Sequence, residues 1–218
     1  MNPPTPQPGG KLLRLGLGAA ALGVLVLYNS VDAKPVDGAS APAASTSVSA
    51  PATPSAAAAA RGPRTPALPR SQPTRIRIPQ IAVDAPVTQL GLEADGRLAA
   101  PPVDNRNLVG WYSGGAAPGE AGSAVMAGHV DTKNGPAVFL LLSLLIPGNA
   151  VDITRADGST ATFVVDSVET FAKNAFPDDR VYGDTPDAQL RLITCGGVYD
   201  HKAKDYTANV VVFAHLKA

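Results

Sequence analysis

The sequence predicts an all-β domain, either a closed barrel or a sandwich, in the part of the chain that begins near Thr74. Short runs rich in β-branched residues recur there, separated by glycine, proline, asparagine and aspartate. Residues 74–78 alternate apolar and charged side chains with period two, which is typical of a strand with one solvated face. Only residues 137–145 have the pattern of a helix, and this stretch ends before a proline. Many short strands with one or two short helices favour a barrel or a sandwich.

The N-terminal segment, residues 1–33, is predicted to engage a membrane. Lys11 and Arg14 precede an apolar run over residues 15–28. A spanning helix needs ~20 apolar residues and a signal-peptide core needs roughly 7 to 15, so the length of the run leaves both open. Residues 31–33 also resemble a small-residue cleavage site. We favour an uncleaved, single-pass anchor in the cell membrane, with its positively charged end in the cytoplasm and the rest of the chain outside.

Residues 34–73 are predicted to form a disordered spacer. They are mostly Ala, Pro, Ser and Thr, with almost no large apolar side chain. Such a stretch cannot bury enough surface to offset the entropy of its chain. Because prolines keep it semi-extended, the spacer could hold the folded domain, residues 74–218, some distance from the membrane.

Seven segments beyond residue 73 are predicted strands. They combine β-branched residues with bounding turn signals, as at residues 94–97, 147–149 and 156–159. The predicted strands are residues 74–78, 82–88, 123–127, 150–155, 161–170, 189–194 and 209–214.

Composition excludes several classes of function. The chain has 18 basic and 18 acidic residues among its 218, and the basic residues are scattered, so no nucleic-acid partner is expected. A single cysteine excludes an internal disulfide and a cysteine-rich metal site. The three histidines, His129, His201 and His215, show no ligand spacing with one another or with the cysteine. We therefore expect no metal and no cofactor.

The single cysteine, Cys195, lies at the end of an apolar predicted strand and is followed by two glycines. Period-two alternation puts Arg191, Ile193 and Cys195 on one face of this strand. A thiol at a strand end before Gly-Gly lies where a substrate backbone can approach closely. A buried structural cysteine has the same local pattern, because free cysteine is among the most buried residue types.

His129 ends another apolar predicted strand and begins a polar loop. A cysteine with a spatially adjacent histidine is the minimal set of nucleophile and acid/base for acyl transfer. A lone histidine in this position also serves simply as a hydrogen-bond donor in a loop. The two side chains together favour the catalytic interpretation more than either does alone.

Four blocks of the sequence resemble one known family. They are residues 125–132 (Val-Met-Ala-Gly-His-Val-Asp-Thr), 135–139 (Gly-Pro-Ala-Val-Phe), 192–197 (Leu-Ile-Thr-Cys-Gly-Gly) and 209–214 (Asn-Val-Val-Val-Phe-Ala). In this order they resemble the sortase family, and most closely its class F members of high-GC Gram-positive bacteria. The resemblance runs from about residue 74 to residue 215, essentially the whole predicted domain.

The resemblance implies a closed, eight-stranded sortase-type β-barrel and a cysteine transpeptidase that acts on peptide bonds. In that family the substrate is a secreted protein with a C-terminal sorting signal of the Leu-Pro-x-Thr-Gly kind. The thiolate, here Cys195, attacks the Thr carbonyl, and the histidine, here His129, protonates the departing Gly amine. An amine of peptidoglycan or its precursor then resolves the thioacyl enzyme. A neighbouring cation lowers a thiol pKa, which favours the nucleophilic thiolate.

The sequence departs from the family at its third catalytic residue. The family has an arginine on the strand after the cysteine, but no arginine follows Cys195 in this chain, and Thr207 or Ala208 occupies the expected place. Arg191 shares the strand face of Cys195, and four residues along a strand span roughly 13 Å, so its guanidinium could reach the groove. We take Arg191 as the candidate third catalytic residue, with a salt-bridged or solvated strand residue as the alternative.

Two other functions stay open from the sequence. One is a cysteine hydrolase acting on peptidoglycan peptides, which uses the same nucleophile. The other is an exported, non-catalytic β-barrel binding module, which the missing arginine makes conceivable. We expect the protein to be a monomer.

Overall fold

The computed structural model describes residues 65–218, so the predicted membrane segment and most of the predicted spacer lie outside the described residues. These residues form ten strands and one short α-helix, α1, over Asp178–Tyr182. The strands are β1 (Pro73–Ile78), β2 (Val83–Leu90), β3 (Val109–Tyr112), β4 (Gly122–Ala127), β5 (Asp131–Thr132), β6 (Gly135–Pro136), β7 (Ala150–Arg155), β8 (Thr160–Ala172), β9 (Ala188–Asp200) and β10 (Asp205–Leu216).

Eight of these strands close into a barrel in the order β1-β2-β3-β4-β9-β10-β8-β7. Most neighbours pair antiparallel, but β2 pairs parallel with β3 and β4 pairs parallel with β9. Strands β5 and β6 form a separate two-stranded ladder. The predicted closed, eight-stranded all-β barrel is therefore confirmed. Closure leaves no unpaired edge in the barrel sheet.

Apolar side chains from alternate positions fill the barrel interior. Ile76, Trp111, Phe163 and Leu190 are each 1% exposed or less. The indole Nε1 of Trp111 donates a hydrogen bond of 3.0 Å to the carbonyl oxygen of Ala116, which satisfies its only polar group. The interior is thus a packed core and leaves no room for a ligand, so any substrate must bind outside it.

A second apolar cluster lies on the outer face of the barrel. It consists of the buried residues Val125, Val181, Ile193, Val211 and Phe213. Side chains of β9 alternate between the two clusters: Leu190 and Leu192 belong to the interior cluster, and Ile193 belongs to the outer one. The cluster therefore covers the outside of β4, β9 and β10, and Val181 of α1 packs onto it.

The predicted helix over residues 137–145 is wrong. This segment makes a chain of tight turns and only one 3-10 helical turn, Leu142–Leu144, closed by bonds such as Leu145 N to Leu142 O at 3.3 Å. Phe139 and Leu142 are buried in the core while Leu144 is 64% exposed. Prolines on both sides, at positions 136 and 147, leave too few residues for a stable α-helix.

Strand β3 and helix α1 were not predicted. Strand β3 is only four residues long and contains Gly110, whose neighbourhood has the composition of a loop. A Cβ at Gly110 would come within 2.2 Å of a side-chain carbon of Leu90, so the close pairing of β2 and β3 requires glycine there. Helix α1 spans five residues, too few for an apolar period to be recognised.

Residues 68–72, at the end of the predicted spacer, contact the barrel. The backbone N–H of Leu68 donates to the Gly119 carbonyl at 2.8 Å, and the Arg70 guanidinium donates to Ser113 and Glu120 at 2.9 Å. Leu68 packs against the interior cluster. Within residues 65–218, none of the helices is both long enough and apolar enough to span a membrane.

Candidate active site

Parallel pairing of β4 and β9 brings the ends of these two strands together. Ala127 is paired with Ile193, and the backbone N–H of Gly128 continues the ladder with a bond of 3.0 Å to the Ile193 carbonyl. Extended two residues beyond the pair Ala127 and Ile193, this register brings residues 129 and 195 to matching positions. Adjacent strands are ~4.8 Å apart, and residues at matching positions present their side chains on the same face. The topology therefore ends both strands at the same rim and predicts that the histidine and the cysteine are neighbours there.

Cys195 is half-buried and lies next to a charged pair. The ammonium Nζ of Lys173 lies 3.8 Å from the Cys195 sulfur and 2.7 Å from both carboxylate oxygens of Asp205. Burial raises the pKa of the Cys195 thiol, Lys173 opposes that rise, and Asp205 adds to it. The ion pair with Lys173 in turn lowers the pKa of Asp205. The thiol thus combines partial burial with a cation in contact.

His129 is half-buried and is held by a carbonyl group. Its Nε2 lies 2.7 Å from the carbonyl oxygen of Pro101. Because a carbonyl oxygen only accepts hydrogen bonds, Nε2 carries a proton and donates it. Among residues 65–218, Nδ1 has no hydrogen-bond partner, so it is the nitrogen left to exchange a proton. The loop over residues 91–108, which contains Pro101, therefore orients the imidazole.

The loop after His129 is tied to β10 by a short hydrogen bond. The phenolic O–H of Tyr206 donates to the carboxylate of Asp131 at 2.5 Å. This bond to an anion raises the pKa of Tyr206 to about 12, so the phenol is protonated at neutral pH. Asp131 is therefore engaged by Tyr206 and does not orient His129. The bond fixes the loop of the histidine against the hairpin that follows the cysteine.

The two glycines after Cys195 are required by the close approach of β10. A Cβ at Gly196 would meet a methyl carbon of Val210 at 2.8 Å. Gly197 has a positive φ of 76°, and a Cβ there would meet the hydroxyl oxygen of Thr207 at 2.8 Å. The pairing of β9 with β10 shifts its register at this point, between Tyr206 and Ala208. The glycines thus let the chain continue from Cys195 without a side chain that would cover the thiol.

Arg191 lies four residues before Cys195 and is only 4% exposed. Its guanidinium donates to the Leu190 carbonyl at 3.2 Å and to the Gln189 side-chain oxygen at 2.5 Å, and it stacks over the ring of Phe213 at 4.7 Å. Burial lowers the pKa of Arg191 to about 10, so the group is still a cation at neutral pH. These contacts account for the side chain within the outer apolar cluster. The structure does not bring Arg191 into contact with Cys195 or His129.

Thr207, one of the two residues at the place where the resemblance implies an arginine, has a structural partner. Its hydroxyl oxygen accepts a hydrogen bond of 3.1 Å from the backbone N–H of Val198. The side chain therefore stabilises the shifted register of the β9–β10 hairpin. It carries no charge and supplies no cation to the thiol.

Lys173 is the residue at the site that sequence reasoning missed. It begins a 3-10 helix, Lys173–Ala175, directly after β8. Strand β8 is separated from β9 by β10, so the lysine reaches the sulfur across one intervening strand. A single lysine at a strand end gives no signal in the sequence, because its approach to the sulfur depends on the registers of β8 with β10 and of β10 with β9.

A groove of about 1290 Å³ lies beside these residues on the outer face. The loop after β2 forms one side through residues 92–98, and Phe176 and Tyr182 line it from the region of α1. Lys173 and Asp205 also line the groove, and the same lysine lies 3.8 Å from the Cys195 sulfur. Its volume exceeds what a drug-sized molecule needs and suits an extended peptide. Within residues 65–218, no group of three or more acidic, cysteine or histidine side chains could hold a metal ion.

Solved structures with a similar fold are sortases. Sortase A from Corynebacterium diphtheriae, in a lid-mutant form, matches with a TM-score of 0.52 and 21% identity over 69% of this chain and 73% of that chain. Sortase C-1 from Actinomyces oris matches with a TM-score of 0.51 and 20% identity over 66% and 73% of the two chains. Sortase C1 from Streptococcus agalactiae gives 0.52 and 19%, over 67% and 70%. At such identities the likeness shows the fold.

The sequence itself carries the family assignment. No curated protein matches the chain in sequence. The family model for the sortase domain matches residues 76–217, which includes the second half of β1, every later barrel strand, and both Cys195 and His129. This match agrees with the closed barrel and with the resemblance of the four sequence blocks. The chain therefore belongs to the sortase family, whose members are cysteine transpeptidases.

Proposed function

We propose that this sortase cleaves a C-terminal sorting signal of the Leu-Pro-x-Thr-Gly kind on secreted proteins and transfers the new carboxyl end to an amine of peptidoglycan or its precursor. The observation that supports the proposal is the parallel register of β4 with β9, which ends the strand before His129 and the strand that carries Cys195 at the same rim of the barrel. The resemblance to class F sortases supports the choice of signal, and the class assignment stays a prediction.

The proposed roles follow from the environment of each group. The proton of the Cys195 thiol first passes to His129. The thiolate then attacks the Thr carbonyl and forms a thioacyl bond, while the imidazolium gives that proton to the departing Gly amine as the C–N bond breaks. An incoming amine then attacks the thioacyl carbon, and His129 takes its extra proton as the C–S bond breaks. Nδ1 is the nitrogen free for both transfers, because Nε2 is bound to the Pro101 carbonyl. The thiol and the imidazole thus end the cycle as they began it.

The outer groove is the proposed binding surface for the sorting signal. It offers both apolar surface, such as Phe176 and Tyr182, and charged groups, such as Lys173 and Asp205. Because the barrel interior is filled by its own core, the peptide must lie along this outer face. An extended signal of five residues spans about 17 Å and can therefore contact several of these lining residues at once.

The proposed location is the outer side of the cell membrane. Support comes from the sequence: Lys11 and Arg14 precede the apolar run over residues 15–28, and a proline-rich spacer follows. An anchored enzyme of this orientation would meet its substrates as they leave the cell. Protease treatment of intact cells tests this location, since an outward-facing domain would be digested from a membrane-bound stub.

Product analysis of a peptide library tests the proposed reaction. The purified full-length chain, in a mild non-ionic detergent, is incubated with peptides of the form Leu-Pro-x-Thr-Gly, with and without an amine such as triglycine. We expect mass spectrometry to find the Thr carboxyl joined to the added amine. Cleavage to a free acid at the same rate with and without amine would indicate a cysteine hydrolase. No cleavage of any peptide would indicate a binding barrel.

Replacing Arg191 with methionine tests the third catalytic role that the sequence suggests. The guanidinium is buried, one of its nitrogens has no partner, and it stacks on Phe213. A methionine fills similar space without a buried charge, so we expect the free energy of unfolding to stay within ~1 kcal/mol and peptide transfer to stay within about threefold. Urea denaturation and kcat/KM measure the two effects. A large fall in kcat at unchanged stability would establish the catalytic role.

A further inference from the structure

The ammonium group of Lys173 contacts the carboxylate of Asp205 and the sulfur of Cys195. An ammonium has three N–H donors. Two of them are accounted for by the oxygens of Asp205, each at 2.7 Å, and the sulfur of Cys195 lies at 3.8 Å. The side chain is 32% exposed and lines the outer groove, so the cation stands between the thiol and the surface where a peptide would bind.

The other candidate cations near the nucleophile are engaged elsewhere. No arginine follows Cys195 in the sequence, and Thr207 at the expected place is neutral and bonded to the Val198 N–H. Arg191 is buried against Phe213 and bonded to Gln189. Among residues 65–218, Lys173 is the basic side chain in contact with the sulfur.

We propose that Lys173 is a catalytic residue, the counter-ion of the Cys195 thiolate, which takes the place of the arginine that the family uses and whose charge Asp205 partly neutralises. When the proton of the sulfur passes to His129, the negative charge left on sulfur faces an ammonium already in contact with it. No bond to lysine forms or breaks. The proposal rests on the proposed function only in assigning that thiolate to peptide transfer.

The electrostatics of the site support this role. Partial burial raises the pKa of the Cys195 thiol, because it removes water from the charged form. Asp205 and Asp131, both anions, act in the same direction, and Lys173 is the group that opposes them. Without the lysine, the sulfur would keep the two carboxylates that raise its pKa and would lose the cation that opposes them. A lysine is suited to this task because its ammonium is a compact point charge on a flexible side chain.

The test is the pH dependence of Cys195 alkylation by the neutral reagent iodoacetamide, followed by intact-mass spectrometry on the full-length chain. Because the chain has one cysteine, the label reports on this site alone. Lys173→Met removes the positive charge, and Lys173→Arg keeps it. Asp205→Asn removes the carboxylate that pairs with the Lys173 ammonium. Lys217→Met is the matched control, an exposed lysine at the far end of β10.

Lys173→Met is expected to alkylate about tenfold more slowly at pH 7, with the midpoint of the profile moved to higher pH. Lys173→Arg and Lys217→Met should stay within about threefold of the parent. Asp205→Asn should move the midpoint the other way, to lower pH, because it removes an anion and frees the ammonium. The upward shift of Lys173→Met cannot come from a fold that exposes the thiol, because exposure would remove the burial that raises the thiol pKa. For Asp205→Asn, a urea denaturation midpoint equal to that of the parent excludes such exposure.

A Lys173→Met profile at the parent midpoint, or an Asp205→Asn profile moved upward, would overturn the proposal. The alkylation assay needs no peptide, so its result is separate from that of the peptide library. If transfer occurs in the parent and Lys173→Met changes neither alkylation nor kcat/KM, the role of the lysine fails while the proposed function stands. If the predicted shifts appear but no peptide is transferred, the proposed function fails and the counter-ion stands.

Discussion

Replacing Cys195 with alanine is expected to abolish peptide transfer, with a loss of at least about 10³-fold in kcat. The sulfur forms the bond that carries the acyl group between the two half-reactions, so no other side chain can complete the cycle without it. Cys195 is the only thiol in the chain, which removes any substitute nucleophile of its kind. The measurement is the yield of amine-linked product from the preferred peptide of the library.

Cys195→Ser is the matched variant, because it keeps the shape of the side chain and replaces the thiol with a hydroxyl. A hydroxyl at this site has no adjacent base strong enough to make it comparably nucleophilic, so transfer should again be lost. The residue is half-buried at a strand end, and we expect either variant to change the free energy of unfolding by less than about 1.5 kcal/mol. Turnover by either variant above the stated limit would refute the nucleophile assignment.

The barrel could be predicted from the sequence because its strands keep a regular alternation. On β7, every second side chain from Val151 to Arg155 is buried and the others are partly exposed, which is the period that local reasoning detects. Strand β3 was not predicted, because it has only four residues and one of them is a glycine that packs against Leu90. The helix predicted over residues 137–145 was wrong, because a run of leucines is compatible with a helix and with a series of partly buried turns equally well.

The site was predictable only where a residue ends a recognisable strand. Cys195 and His129 each follow an apolar run, so their position at a rim could be read from the chain. The expected proximity of these two side chains depends on the parallel pairing of β4 with β9, and that pairing is set by the topology of the whole barrel. The contact of Lys173 with the sulfur depends on the registers of β8 with β10 and of β10 with β9. The contact of His129 with the Pro101 carbonyl depends on how a long loop folds back. Such contacts are set by tertiary structure, and the local sequence does not encode them.

Arg191 shows how a correct local inference can leave the function open. The alternation on β9 does put Arg191 and Cys195 on one face, as the sequence indicates. That face is covered near Arg191 by Phe213 and its apolar neighbours, so the guanidinium is enclosed before it can extend toward the thiol. Period two gives the direction of a side chain and says nothing of what covers it.

Replacing His129 with glutamine is expected to lower kcat/KM for peptide transfer by about 10²–10⁴-fold. Glutamine can still donate a hydrogen bond to the Pro101 carbonyl, so the loop over residues 91–108 should keep its place. It has no group that accepts and returns a proton near neutral pH, so both proton transfers of the cycle are lost. The pH profile of kcat/KM should therefore lose the limb that belongs to the imidazole as well as its height.

His215→Gln is the control for this substitution, because His215 is an exposed histidine on the same barrel and bonds Asp166 at 2.6 Å, away from the thiol. It should keep transfer within about twofold. Iodoacetamide labelling of Cys195 separates the two roles of His129: a proton carrier changes the transfer rate far more than the access of a small reagent to the sulfur. An H129Q enzyme that keeps the parent rate and the parent pH profile would show that the imidazole is a loop donor to Pro101 and that proton transfer passes through another group.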